Sequence, residues 1–118
     1  MTERDTHDKS NAEQRYRSLV DDAPYTIIIV DYDKRVFVEE ANRSAEKLYG
    51  LKRSDILGKL GPQDLSPEFQ PDGRRSDEAA LEFMQAALDE KFPTFEWLHR
   101  TAQGIDVPCQ VTLSRFPD

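Results

Sequence analysis

Three kinds of residue in this chain could do chemistry. His99, inside the patterned segment "FEWLHR", is of the type that ligates metals and exchanges protons near neutral pH. Cys109 is the only cysteine and could act as a thiol nucleophile. The acids Glu39, Glu40, Asp64 and Glu96 could serve as general bases. Their arrangement argues against a reaction. There is no Ser-His-Asp order, no glycine-rich phosphate loop and no metal-ligand spacing. Each of these residues also has a commoner use: the acids as solvated-face charges, His99 as a polar residue at a pocket wall or sheet surface. An enzyme here would need an acid buried in an apolar cup, as in a small cone-shaped isomerase. No acid has that context in the sequence, so a non-catalytic protein is expected.

Composition narrows the remaining classes. The 118 residues suffice for one domain and one core. A net charge of −7 argues against nucleic acid, because phosphate neutralisation needs clustered lysine and arginine. The clusters Arg15/Arg17 and Lys52/Arg53 are both interrupted. A single cysteine excludes an internal disulfide and suits a reducing compartment. The longest apolar run, Ile27 to Val30, is strand-sized, which speaks against membrane insertion. The polar opening "MTERDTHDKS" is no secretory signal, so a cytoplasmic location is expected.

The elements that must position these side chains follow from periodicity. Residues 1–9, charged and aperiodic, are expected as a disordered tail. Ser10 and Glu13 have capping-box spacing, and Ala12, Tyr16, Leu19, Val20 and Ala23 recur as one helical stripe. Pro24 ends that helix. "YTIIIVD" reads as an interior strand covered on both faces, and "DYDK" turns it into "RVFVEE". Asn42 caps a helix over "RSAEKLY", with Gly50 as its left-handed stop. "SDIL" is a short helix with Ser54 as cap and Gly58 as stop.

A proline-rich stretch follows, "GPQDLSPEFQPDGRR". It reads as an ordered loop, with Leu65 and Phe69 inward and Asp72-Gly73 turning toward a cap at Ser76. Residues 77–91 form the long helix, with Ala80, Phe83 or Met84, Ala87 and Leu88 on one face. Two strands then meet at Gln103-Gly104. Phe95, Trp97 and His99 share one face of the first, and Val107, Cys109, Val111 and Leu113 share one face of the second. The order implies an α+β domain with an antiparallel sheet and helices on one side. Tyr25, Phe83, Phe95 and Trp97 could line a small pocket or fill a core, and filling is the commoner use.

Over residues 11–116, with "IIIVDYDKRVFVEEANRSAEKLYGLKRSDILGK" and "FEWLHRTAQGIDVPCQVTLSRF" as the carrying segments, the chain resembles a PAS domain, the small sensory module of bacterial signalling proteins. Asn42, Gly50 and Leu57-Gly58-Lys59 match family positions; Lys34 stands where the family often has glycine. The resemblance implies a sensor that binds a small ligand, or none, and relays a change to a C-terminal output domain, a histidine kinase or diguanylate cyclase. The alternative is a ligand-free dimerisation module. A homodimer through residues 10–22 or the sheet edges is expected in either case. Pocket candidates by resemblance are Ile29, Asn42, Tyr49, Trp97 and Cys109. A heme histidine on the long helix and the flavin-adduct cysteine motif are both absent, so the cofactor is left unassigned. The resemblance also implies a fifth strand between the first and fourth. The sequence closes at Pro117-Asp118, so the expectation is a C-terminally truncated domain. Its gap would be closed by pairing "TIIIV" with "QVTLS", or by a strand from a neighbouring chain.

Overall fold

The structure, a computed structural model, describes the backbone of residues 3–116 and the side chains of residues 11–116. Helix α1 spans Glu3–Asp21. No glycine or proline interrupts those residues, so nothing in the backbone stops the helix at Ser10. Residues 3–9, expected as a disordered tail, are therefore helical, and the Ser10 side chain lies outside the described residues. The domain covers only part of the expected stripe. Val20 is buried, while Tyr16 and Leu19 stay 51% and 75% exposed.

Strands β1 (Ile28–Asp31) and β2 (Val36–Ala41) form the first antiparallel hairpin. Its turn closes without glycine. The Asp31 carboxylate accepts from the Lys34 N–H (3.0 Å), the Asp31 carbonyl accepts from the Arg35 N–H (2.8 Å), and Arg35, not Lys34, takes the left-handed φ of 60°. β1 is shorter than expected and half-buried throughout, because it is paired on one side only. Ile28 and Val30 pack on the core, which puts Ile29 on the opposite strand face.

Helix α2 (Arg43–Tyr49) is built as its sequence implies, with Asn42 as cap and Gly50 at φ 71°. Helix α3 (Arg53–Ile56) is capped differently from expectation. Ser54 lies within it, and its first N–H, that of Arg53, donates to the Glu46 carboxylate at 2.8 Å. A 3-10 turn over Pro62–Leu65 opens the proline-rich loop. Helix α4 (Ser76–Leu88) buries Ser76, Ala79, Met84 and Ala87. Strands β3 (Thr94–Arg100) and β4 (Asp106–Thr112) close the fold as a second hairpin, with Gly104 at φ 81° in its turn. Phe37, Ala41, Ala45, Tyr49, Ile56 and Leu65 make the central core.

The architecture is α+β, with short helices and two small antiparallel sheets, β1–β2 and β3–β4. β1 and β4 do not pair with each other among the described residues, which corrects the expected direct closure of "TIIIV" on "QVTLS". Each keeps one open edge. Backbone groups on such an edge hydrogen-bond to water or to an added strand.

The proline-rich loop is ordered in part as expected and in part not. Leu65 is buried, and the Gly73 N–H closes a turn on the Gln70 carbonyl. Phe69 is 51% exposed, with the Arg75 guanidinium 5.7 Å from its ring centre. Phe69 pairs with Arg75 across a small antiparallel bridge, so alternate side chains point oppositely and Gln70 takes the interior position instead. Ser76 does not cap α4. It is the first helical residue, and its buried hydroxyl accepts from Gln70 Nε2 at 2.9 Å.

Candidate functional site

The inner face of β3–β4 carries the aromatic material. Phe95, Trp97 and His99 alternate along β3, opposite Val111, Cys109 and Val107 on β4. Phe83 from α4 stacks on Phe95 with centroids 3.6 Å apart, and Trp97 meets both rings edge-on at 6.3 and 5.9 Å. From the other side Tyr49 stacks against Phe37 (6.4 Å) and meets His99 edge-on (5.4 Å). These contacts join the two hairpins through side chains, not through a ladder.

Polar groups hold the loop onto this face. Trp97 Nε1 donates to Ser66 Oγ at 3.0 Å, and that hydroxyl donates to the Pro62 carbonyl at 2.7 Å. Gln70 does more. Its Oε1 accepts from the Leu98 N–H (2.8 Å), while its Nε2 donates to the Leu98 carbonyl (3.1 Å) and to Ser76. The carboxamide thus imitates one rung of a β-ladder along the outer edge of β3. Gln70→Ala is expected to destabilise the domain by about 2 kcal/mol, because it strands a half-buried N–H and a buried hydroxyl. Hydrogen exchange at the Leu98 amide should rise with it. An unchanged urea midpoint would contradict this role.

A cavity of about 340 Å³ opens where loop, α4 and β3 meet. Gln70, Asp72, Arg74, Phe83, Trp97 and Leu98 contribute to its wall. Arg74 is engaged there by Glu82 and lies 5.9 Å from the Phe83 ring centre. Asp72 and Glu96 bring negative charge to the same rim, and neither takes part in an ion pair among the described residues.

Of the residues singled out in the sequence, Tyr49, Trp97 and Cys109 lie on this interior, with Trp97 and Cys109 directly cross-strand. Asn42 lies elsewhere. It is fully buried, and its carboxamide accepts from the Ile27 and Ala45 N–H groups and donates to the Val20 and Tyr25 carbonyls. Ile29 faces away from the core. Gln70 and Ser66 were not anticipated; polar residues in a proline-rich loop carry no periodicity that marks them as inward. Glu40, expected on a solvated face, is 3% exposed.

The titratable groups of the interior sit in their neutral forms. Burial raises the Tyr49 phenol far above its ordinary range, with the neighbouring Cys109 adding to it. Burial likewise raises the Cys109 thiol, which keeps it protonated and poorly nucleophilic. Burial lowers His99 below its ordinary 6.5, only partly offset by its hydrogen bond to the Leu65 backbone. A histidine whose folded pKa is depressed leaves the unfolded chain binding more protons below 6.5, so stability falls as pH drops through that value. Thermal melts from pH 7.5 to 5.5 should therefore show a loss that His99→Asn reduces. A pH slope unchanged in the variant would contradict the assignment. Among the described residues there is no group of three metal-ligating side chains, and no helix is long and apolar enough to cross a membrane.

Comparison with known proteins agrees with this geometry. A PAS domain family model matches residues 24–118. The chain belongs to the PAS domain family. PAS domains are sensor and signalling modules, and the match leaves the whole of α1 outside the family segment. Among solved structures, this PAS domain is similar to the PAS domain of an HTR-like protein from Haloarcula marismortui. The TM-score is 0.76 at 20% identity, over 98% of this chain and 88% of that one. At that identity the likeness speaks for the fold. No curated protein sequence matches the chain.

Proposed function

We propose that this PAS domain is a non-catalytic sensor that takes a small ligand in the cavity beneath the proline-rich loop. It passes the resulting change in packing to an output domain of a cytoplasmic bacterial signalling protein, a histidine kinase or diguanylate cyclase. The observation that carries the reading is the 340 Å³ cavity, walled by an aromatic pair, the loop and strand β3. Apolar wall with a few fixed polar groups is the usual make-up of a small-molecule site. Tyr49, Trp97 and Cys109 lie on the interior side, where they sense the ligand through packing. A ligand shifts the domain only if it binds two states unequally, and the Gln70 clasp on Leu98 is the contact that can be made or broken. The test is a thermal-shift screen of small metabolites followed by hydrogen exchange. A hit should raise Tm and protect residues 70–74 and the Leu98 amide. Hits that protect neither region would count against the cavity as the site.

A second reading is favoured by α1. Tyr16 and Leu19 are exposed on one side of it, and the interior aromatics pack closely. On that reading the chain is a dimerisation module, joined through residues 10–22 or through the open edges of β1 and β4. A strand supplied by a neighbouring chain would then join the two hairpins. Sedimentation of the chain lacking residues 1–23 separates the readings: a dimer lost on deletion, with no ligand found, supports the module.

A further inference from the structure

We propose that Glu40 is a buried latch that holds α1 on the domain and couples its position to α3. The carboxylate is 4% exposed, lies 2.7 Å from Arg17 Nη1 on α1, and 3.7 Å from Arg53 Nη2 on α3. Such a group is retained inside a fold only when paired. It is brought there by a bulge. Val30 faces Phe37 while Ile28 faces Ala41, so β2 carries extra residues between those pairs, and Glu39 takes a left-handed φ of 62°. That conformation is strained for a non-glycine residue. Arg53 Nη2 fixes the bulge by donating to the Glu39 carbonyl at 2.7 Å, and the Arg53 N–H is itself tied to Glu46 of α2. A shift of α3 therefore moves the bulge, and with it the only carboxylate that Arg17 is bonded to among the described residues.

The latch also sets which side of α1 faces outward. Arg17 and Val20 share the side turned to the domain, and Tyr16 and Leu19 lie roughly a quarter-turn away. A helix held at Arg17 presents Tyr16 and Leu19; a released helix presents neither in a fixed direction. The identity of whatever meets those residues rests on the dimer reading above, and the latch does not.

The test is hydrogen exchange of the 118-residue chain in three variants, Arg17→Met, Glu40→Gln and Arg53→Met. Exchange across residues 11–21 should rise about tenfold in Arg17→Met and Glu40→Gln. It should also rise measurably in Arg53→Met, although the acid that Arg53 pairs with is Glu40 of β2 and not a residue of α1, while β3–β4 amides keep their protection. If Glu40→Gln loosens the whole fold, Arg17→Met and Arg53→Met carry the test, since both arginines are partly exposed. Faster α1 exchange in Arg17→Met with none in Arg53→Met would overturn the coupling. No change in Arg17→Met would overturn the latch itself.

Discussion

Asn42→Ala is expected to cost about 3 kcal/mol of folding stability, well beyond the roughly 1 kcal/mol of an ordinary helix cap. The side chain has no exposed surface and makes four hydrogen bonds, at 2.8–3.1 Å. One of them caps α2 through the Ala45 N–H. The other three hold the end of α1 and the approach to β1, through Val20, Tyr25 and Ile27. Truncation leaves two buried or half-buried carbonyls and two N–H groups without partners, and such groups cost more than the bond that satisfied them. Neighbouring residues add little compensation, since the Arg43–Asp22 pair is exposed and the Ser44–Ala23 bond reaches a different carbonyl. Asn42→Ser keeps a cap acceptor but cannot span to Val20, so it should recover about 1 kcal/mol. Urea denaturation of the three proteins reads this directly. A loss for Asn42→Ala no larger than a cap would mean that the α1 junction is held by something else.

Gly61→Ala is expected to be of similar size, about 2–3 kcal/mol, for a different reason. Gly61 has an extended φ of −132°, so the backbone does not require glycine there. Space does. A methyl group at that position would overlap the Arg35 carbonyl of the β1–β2 turn. Backbone cannot rotate aside as a flexible side chain would. The same glycine N–H donates to Asp64 at 2.9 Å, and Gln63 Nε2 donates to the Arg35 carbonyl at 3.1 Å, so the start of the loop is clamped onto the turn. Pushing them apart should loosen the 3-10 turn and, through Leu65, the central core. Gly73→Ala is the control: no atom lies near its Cβ position, so its cost should come only from the positive φ of 90°, about 1 kcal/mol. Equal losses for the two variants would contradict the steric account.

How much of this was legible in the sequence depended on the range of the forces involved. The cap at Asn42 and the stop at Gly50 were legible because local backbone chemistry decides them. The alternation in β3 and β4 was legible because one face is buried. The loop was read correctly at Leu65 and at the Gln70–Gly73 turn but not at Phe69, where strand parity gave the interior place to a glutamine that could satisfy the edge of β3. Hydrophobicity alone favours the phenylalanine; an unpaired strand edge favours the amide. Glu40 was unreadable for a related reason. Its burial follows from a bulge at Glu39 and from two arginines far apart in sequence, neither of which leaves a periodic trace. Of the α1 stripe the domain buries Val20 but leaves Tyr16 and Leu19 exposed, and it grips the helix by Arg17 as well. Of the pocket candidates, Tyr49, Trp97 and Cys109 lie together on the interior; Asn42 ties α1 to α2 and the approach to β1, and Ile29 lies on the other face of β1 from Ile28 and Val30.

Native mass spectrometry of the gently purified chain tests the sensor reading most directly. The account predicts a bound small molecule at substoichiometric or full occupancy. Its loss is predicted in Leu98→Trp, which fills the cavity from the half-exposed side of the strand without disturbing the Gln70 bonds to the Leu98 backbone. A bare chain mass for the wild-type protein, or a ligand retained equally in Leu98→Trp, would contradict it.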